Sequence, residues 1–229
     1  MRQKTIGDQR RAAERLRRRY ETAPPQARAY LEAEIEYSVA RVAGADTVLE
    51  LGCGYGRVLE RLAPHVGELW GIDVSVGALL LARERLGFRS RCHLAAMDAR
   101  ALAFRGGVFD HVLCVQNGVA AFGGDRLALV REAARVTRAG GSVLLASYAE
   151  AFWPHRIEWY EAQAARGLKA PLDRDATGGG VVVGVDGFRS EAVSAGEFRR
   201  LAAAAGLEAR IAEVAGASLF CELRVRRLG

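Results

Sequence analysis

Val48-Leu49-Glu50-Leu51-Gly52-Cys53-Gly54-Tyr55-Gly56 is the stretch that decides the architecture. Its apolar first half reads as the end of a strand, and its three alternate glycines let the backbone turn tightly and approach a ligand closely before a helix begins. A dinucleotide turn requires the spacing G-x-G-x-x-G. Here the spacing is G-x-G-x-G with Glu50 two residues before the first glycine, which argues against a pyrophosphate ligand.

Moving outward, short apolar runs alternate with helical stretches. Thr47 to Leu51, Glu68 to Asp73, Arg91 to Ala95, Phe109 to Val115 and Gly141 to Ser147 read as strands, with helices at about 55–65, 76–86 and 125–137 between them. Near-continuous apolar strands separated by helices indicate a doubly wound α/β domain with a parallel sheet covered on both faces. Arg10 to Tyr20 reads as a solvated helix, broken by Thr22-Ala23-Pro24-Pro25. The helix after the break is amphipathic, with Ala27, Leu31, Ile35, Ser38, Val39 and Val42 on one face, and Gly44 ends it.

After Ser147 come a helical stretch over about 150–167, a loop from Lys169 to Gly180, and two runs, Val181 to Val185 and Phe188 to Val193, flanking Asp186-Gly187. That dipeptide is the favoured two-residue hairpin turn. Ser194 with Glu197 forms a capping box for a helix to Ala205, closed by Gly206. Leu207 to Val214 and Ser218 to Val225 pair as the last two strands, antiparallel.

The 229 residues, half of them hydrophobic and 26% charged, exclude a disulfide mini-scaffold, a fibre and a disordered chain. The net charge of +6 sits at one end: residues 1–20 hold eight bases against two acids, and the rest is balanced. Only Lys4 and Lys169 are lysine, so the arginine bias reads as compositional habit, and the arm as a solvated helix before a nucleic-acid contact. Cys53, Cys92, Cys114 and Cys221 form no C-x-x-C pair and the chain opens on charge, from which a reduced, cytoplasmic setting is expected. No apolar run approaches the roughly 20 residues that span a bilayer.

Polar groups recur where successive strands end. Gly71-Ile72-Asp73 closes the second strand 17 residues after Gly56, Met97-Asp98-Ala99 follows the third, and Gln116-Asn117-Gly118 ends the fourth. In an open parallel sheet that carboxyl edge is where ligands bind, and an acid at a strand end accepts ribose hydroxyls.

With these motifs in this order, residues 45–147 resemble the class I S-adenosylmethionine-dependent methyltransferases. The resemblance implies a seven-stranded sheet completed by an antiparallel hairpin, with S-adenosylmethionine as cofactor and S-adenosylhomocysteine as product. It assigns Glu50, Gly52, Cys53, Gly54 and Gly56 to the loop around the methionine portion, Asp73 with Val74 to the ribose, Met97, Asp98 and Ala99 to the adenine, and Gln116 and Asn117 to the sulfonium side. Tyr20 is offered as a cofactor-lid contact. On this reading the single domain divides into an N-terminal helical cap (1–44), a cofactor-binding core (45–147), an inserted helix and hairpin covering the substrate (148–193), and a final helix and strand pair (194–229).

Such an enzyme needs mainly to align an acceptor behind an activated methyl, so no protein nucleophile is expected. Acceptor-side candidates are Tyr148, Phe152, Trp153, His155, Glu158, Trp159 and Tyr160, with His155, Asn117 and Tyr148 as candidates for catalysis. Phe152, His155 and Trp159 share a helix face at three and four residue steps and either line a pocket or pack on the body. His65, His93, His111 and His155 show no metal-ligand spacing, and no metal is expected. The expected acceptor is a small molecule, methylated on O, N or S. Alternatives are an RNA or protein methyltransferase docking through the arginine-rich arm, and a cofactor-binding protein without turnover. Gln116-Asn117-Gly118-Val119 lacks the two prolines typical of adenine-directed enzymes.

Overall fold

The computed structural model describes residues 5–87 and 91–226; Arg2 and Lys4 of the basic arm lie outside them. Two helices come first, α1 (Ile6–Glu21) and α2 (Pro25–Val42). The alternating core follows as β1 (Thr47–Leu51), α3 (Arg57–Leu62), β2 (Glu68–Asp73), α4 (Val76–Leu86), β3 (Cys92–Ala96), β4 (Phe109–Cys114), α5 (Arg126–Val136) and β5 (Thr137–Tyr148). Then come α6 (Trp153–Ala165), the short strands β6 (Val181–Val183) and β7 (Arg189–Glu191), α7 (Ala195–Ala204), β8 (Glu208–Val214) and β9 (Ser218–Arg224).

The sheet has seven strands in the order β3-β2-β1-β4-β5-β9-β8, parallel except where β9 pairs antiparallel with β5 and β8. Strand order reverses between β1 and β4, opening a crevice at their carboxyl ends. Residues alternate between the two faces. Leu49, Leu51, Val112, Cys114, Val143 and Leu145 pack on α5 and α7, while Val48, Leu113, Leu144 and Ala146 pack on the α2, α3 and α4 side. Because both faces are buried, the inner strands are mostly apolar, and Glu50 is one of the few acids buried on them, with Asp110 on β4 and Glu222 on β9.

Four expectations need correction. The first concerns α1, which is not a free solvated helix. Ala13 is buried and Gln9 Oε1 accepts the Gly77 N–H, at 3.1 Å, so α1 lies along α4. It approaches so closely that a Cβ on Gly77 would fall 2.6 Å from the Gln9 carbonyl carbon. A single packed seam, Ala13 and Leu16 against Ala78 and Leu81, suffices to dock a helix whose other faces are charged.

The second is β5, which begins at Thr137 and reaches Ser142 through a register shift against β4. Gly140 at φ 85° provides the irregularity. The third is the β6–β7 hairpin, which does not turn on Asp186-Gly187 alone. Gly184 and Phe188 close a three-residue loop, with Gly187 N–H on the Gly184 carbonyl at 2.9 Å and Gly187 at φ 81°. A type I turn ending in a left-handed glycine bulge uses the same dipeptide one place later. The fourth is the Ser194 cap. Its hydroxyl accepts the Glu197 N–H at 3.2 Å, but the Glu197 carboxylate turns to Arg126 at the head of α5, which also pairs with Glu191 on β7. The box is therefore half-made, its acid committed to tethering α7. Among the described residues no helix is long and apolar enough to cross a membrane.

Candidate functional site

At the end of β1 the chain runs Gly52 (φ 71°), Gly54 (φ 53°) and Gly56 (φ 80°), all left-handed. Gly56 is the most constrained, because a Cβ there would meet Ala82 Cβ at 3.1 Å as well as strain the backbone. The turn is pinned to the next strand: Cys53 N–H donates to the Ile72 carbonyl at 2.9 Å, and Gly54 N–H to Asp73 Oδ2 at 2.9 Å. Asp73 Oδ1 accepts the Ser75 N–H at 2.8 Å. One carboxylate thus joins the glycine turn to the start of α4, and each oxygen keeps a lone pair for a ligand. Val74 beside it is 66% exposed, a large apolar side chain left open at the sheet edge.

Beyond β3, Met97 N–H bonds the Asp73 carbonyl at 3.1 Å and Ala99 is buried. Asp98 faces outward in a fork with Arg100, Nη2 to Oδ2 at 2.7 Å, and that pairing holds its carboxyl below the usual range.

Beneath the turn lies a set of buried polar groups. Burial pushes Glu50 up to about 8, with the Asp73 charge adding and Arg57 opposing. Glu34 on α2 is raised to about 7 by burial, although Ser218 Oγ donates to its Oε1 at 3.0 Å. The Arg57 guanidinium sits 4.9 Å above the Tyr20 ring. Glu34 Oε2, Glu50 Oε2, Arg57 Nε and Nη2, and Gln116 Nε2 have no hydrogen-bond partner among the described residues. Buried groups left unpaired cost energy unless a ligand satisfies them.

After β4, Gln116 (φ 59°) and Asn117 (φ 56°) are both left-handed, a conformation that side chains resist and that clusters at functional sites. Asn117 is held by its surroundings: Nδ2 donates to the Glu191 carbonyl at 2.9 Å and Oδ1 accepts from Ser147 Oγ at 2.7 Å. Ser147 Oγ in turn accepts the Val193 N–H at 2.7 Å. The inserted hairpin is thereby fastened to the sheet's carboxyl edge.

Gln116 and Asn117 form part of the wall of a half-open cavity of about 300 Å³, lined also by α1, the end of β5, α6 and the hairpin. Of the acceptor-side candidates, Tyr148, Trp159 and Tyr160 line it, as does Tyr20, whose ring lies 5.7 Å from Trp159 and 6.1 Å from Tyr55. Trp159 Nε1 donates to the Arg19 carbonyl at 3.1 Å. Phe152, His155 and Trp153 are placed elsewhere. Phe152 is core, its ring stacked 4.8 Å from Tyr30. His155 does not line the cavity; its Nδ1 lies 3.5 Å from Glu158 Oε2 and its ring packs on Phe152. Trp153 lines a separate depression of about 770 Å³ with Glu150 and Gly179.

The reason is helical phase. The face turned to the cavity is Arg156, Trp159, Tyr160 and Gln163, an i, i+3, i+4, i+7 set rotated by one residue from Phe152, His155 and Trp159. Sequence reading missed Arg156 and Gln163 with Arg19 and Lys169. The signal was there, since an arginine and a glutamine interrupt an otherwise aromatic stripe. No group of three or more His, Cys, Asp or Glu among the described residues is arranged to hold a metal ion.

Comparison with known proteins agrees with this fold. Residues 48–141 match the methyltransferase domain family. No curated protein matches the chain. Among solved structures, the chain superposes on the PH0226 protein of Pyrococcus horikoshii with TM-score 0.66 at 20% identity, covering 89% of this chain and 93% of that one. It matches SAM-bound CalS10, an amino pentose methyltransferase of Micromonospora echinaspora, with TM-score 0.58 at 21% identity over 83% and 90% of the two chains. The N-methyltransferase NodS of Bradyrhizobium japonicum, in complex with S-adenosylhomocysteine, gives 0.55 at 16% identity over 82% and 84%.

Proposed function

We propose that this chain, a class I S-adenosylmethionine-dependent methyltransferase, moves the cofactor's methyl group to an O, N or S atom of a small molecule held in the cavity beyond Asn117. The observation that carries the acceptor class is size: a recess of about 300 Å³ lined by α1, the turn after β4, the end of β5, α6 and the hairpin suits a small molecule. CalS10, by name an amino pentose methyltransferase, is a relative of the same fold with a small-molecule acceptor.

The residues present fit the cofactor. Unpaired Glu50 carboxylate and Arg57 guanidinium, with the Gln116 amide, complement an amino acid's ammonium and carboxylate, and the free lone pairs of Asp73 suit a pair of hydroxyls. When bound, the cofactor supplies an electrophilic methyl on a sulfonium. The chain's task is then alignment and exclusion of water. Tyr20, Trp159 and Tyr148 wall the acceptor side, and Asn117 holds the hairpin in place. We assign Val74, Met97, Asp98 and Ala99 to the adenosine end, residues 1–44 and 148–193 to cap and cover, and the working compartment, on a sequence with scattered cysteines and no C-x-x-C pair, to a reduced cytoplasm.

The test is transfer of labelled methyl from S-adenosylmethionine into a cell extract separated into small molecules, RNA and protein, with Asp73→Ala as blank. Label in the small-molecule fraction is expected. Label confined to RNA or protein would overturn the acceptor class and favour docking through the arginine-rich arm.

A further inference from the structure

We infer that the acceptor is an anion, carrying a carboxylate or a phosphate, and that Lys169 and Arg156 receive its charge inside the cavity. The inference rests on the reading of this cavity as the acceptor site and narrows it. Among the described residues, four cationic side chains line the cavity, Arg19, Arg156, Lys169 and Arg189, and no acidic side chain does. Arg156 is only 5% exposed. Its guanidinium donates to the Gly180 and Ser190 carbonyls at 2.7 and 2.8 Å, and Arg19 donates to the Leu168 carbonyl at 2.8 Å. These neutral partners hold the side chains in position without cancelling their charge, and among the described residues Arg19, Arg156 and Lys169 make no ion pair.

Lys169 is the centre of this arrangement. Its Nζ lies 3.4 Å from the Phe188 ring centroid and 4.6 Å from that of Tyr160, between an inserted hairpin and α6. Burial, with Arg19 and Arg156 nearby, lowers its pKa to about 7. Among the described residues the carboxylate whose field reaches it is Asp186, which does not line the cavity and whose Oδ1 accepts the Phe188 N–H at 3.1 Å. In a chain that uses arginine for all but two of its 33 basic residues, a lysine here is a departure from habit.

Two further atoms wait for a partner. Tyr160, 4% exposed, has an unpaired hydroxyl, and Gln163, 6% exposed, an unpaired Oε1. A phenol donates well to an anion, and desolvated like charges repel unless a counter-ion enters. The ring-lined walls, Tyr20, Tyr148, Trp159 and Phe188, suit a planar apolar body behind the charge.

The test uses benzoate, phenyl phosphate and the neutral isostere benzamide, titrated into the protein saturated with S-adenosylhomocysteine and followed by calorimetry and tryptophan fluorescence. One or both anions should bind about tenfold or more tighter than benzamide, since a charge-assisted contact is lost in the amide. Which anion wins separates carboxylate from phosphate. Lys169→Met should abolish the preference while leaving S-adenosylhomocysteine affinity intact, and Lys169→Arg should retain it. Equal affinities for all three probes, absence of binding by both anions, or an unaffected Lys169→Met variant would overturn the inference. Label found only in RNA or protein would instead sink the acceptor reading, even with anion preference intact.

Discussion

Asp73 and Glu50 are both acids at the sheet's carboxyl edge, and their surroundings give them opposite tasks. Asp73 accepts two backbone N–H groups and stays open to a ligand. Replacing it with alanine leaves those donors unpaired and removes two charge-assisted acceptors, so S-adenosylhomocysteine affinity should fall about a hundredfold by calorimetry. Unchanged affinity would remove Asp73 from the ribose position. Glu50 is raised to about 8 and Glu34 to about 7, both mainly by burial. Because each holds its proton longer folded than unfolded, their contribution to stability is full below about pH 4.5 and is lost as pH climbs toward 7–8. The cofactor-free protein should therefore lose thermal stability from pH 5 to 8, and Glu50→Gln should flatten that slope relative to wild type. An identical slope in the variant would show that Glu50 does not titrate in this window. Asp73 and Glu50 were legible in sequence because a strand and a glycine turn fix where an acid must fall. Arg156 and Lys169 were not, since their partners lie on a hairpin and on α1, far away in the chain.

Element by element, close approach matters more than propensity. Gly77 sits in the first turn of α4, where alanine would ordinarily raise helix stability. Here a Cβ would run into the Gln9–Arg10 backbone. Gly77→Ala should instead destabilise by about 1–3 kcal/mol and loosen α1, seen as a lower melting temperature and faster hydrogen exchange over α1. A stabilised variant would mean α1 is not seated on α4. Sequence periodicity could not reveal this docking, because α1 has charge on most faces and buries only a narrow seam. The inserted hairpin depends on a different device. Ser147→Ala removes the hydroxyl that serves both Asn117 and the buried Val193 N–H. A loss of about 2 kcal/mol in denaturant unfolding is expected, with weakened acceptor affinity. The hairpin was expected from Asp186-Gly187, but its loop is one residue longer, since pattern marks a turn without fixing its register.

At the scale of the whole molecule, the sheet and its edge were readable because apolar strands alternate with helices at a spacing that only a doubly wound domain accommodates. The cavity was not, being assembled from α1, the turn after β4, α6 and the hairpin, segments that meet only through tertiary packing. In the proposed function, its position beside Gln116 and Asn117 joins cofactor chemistry to acceptor choice. The most direct measurement is a crystal structure with S-adenosylhomocysteine bound. The account predicts ribose hydroxyls on Asp73, the amino-acid end against Glu50 and Arg57, and the sulfur facing the cavity walled by Tyr20, Tyr148 and Trp159. A sulfur directed away from that cavity, or a ligand bound off the glycine turn, would contradict it.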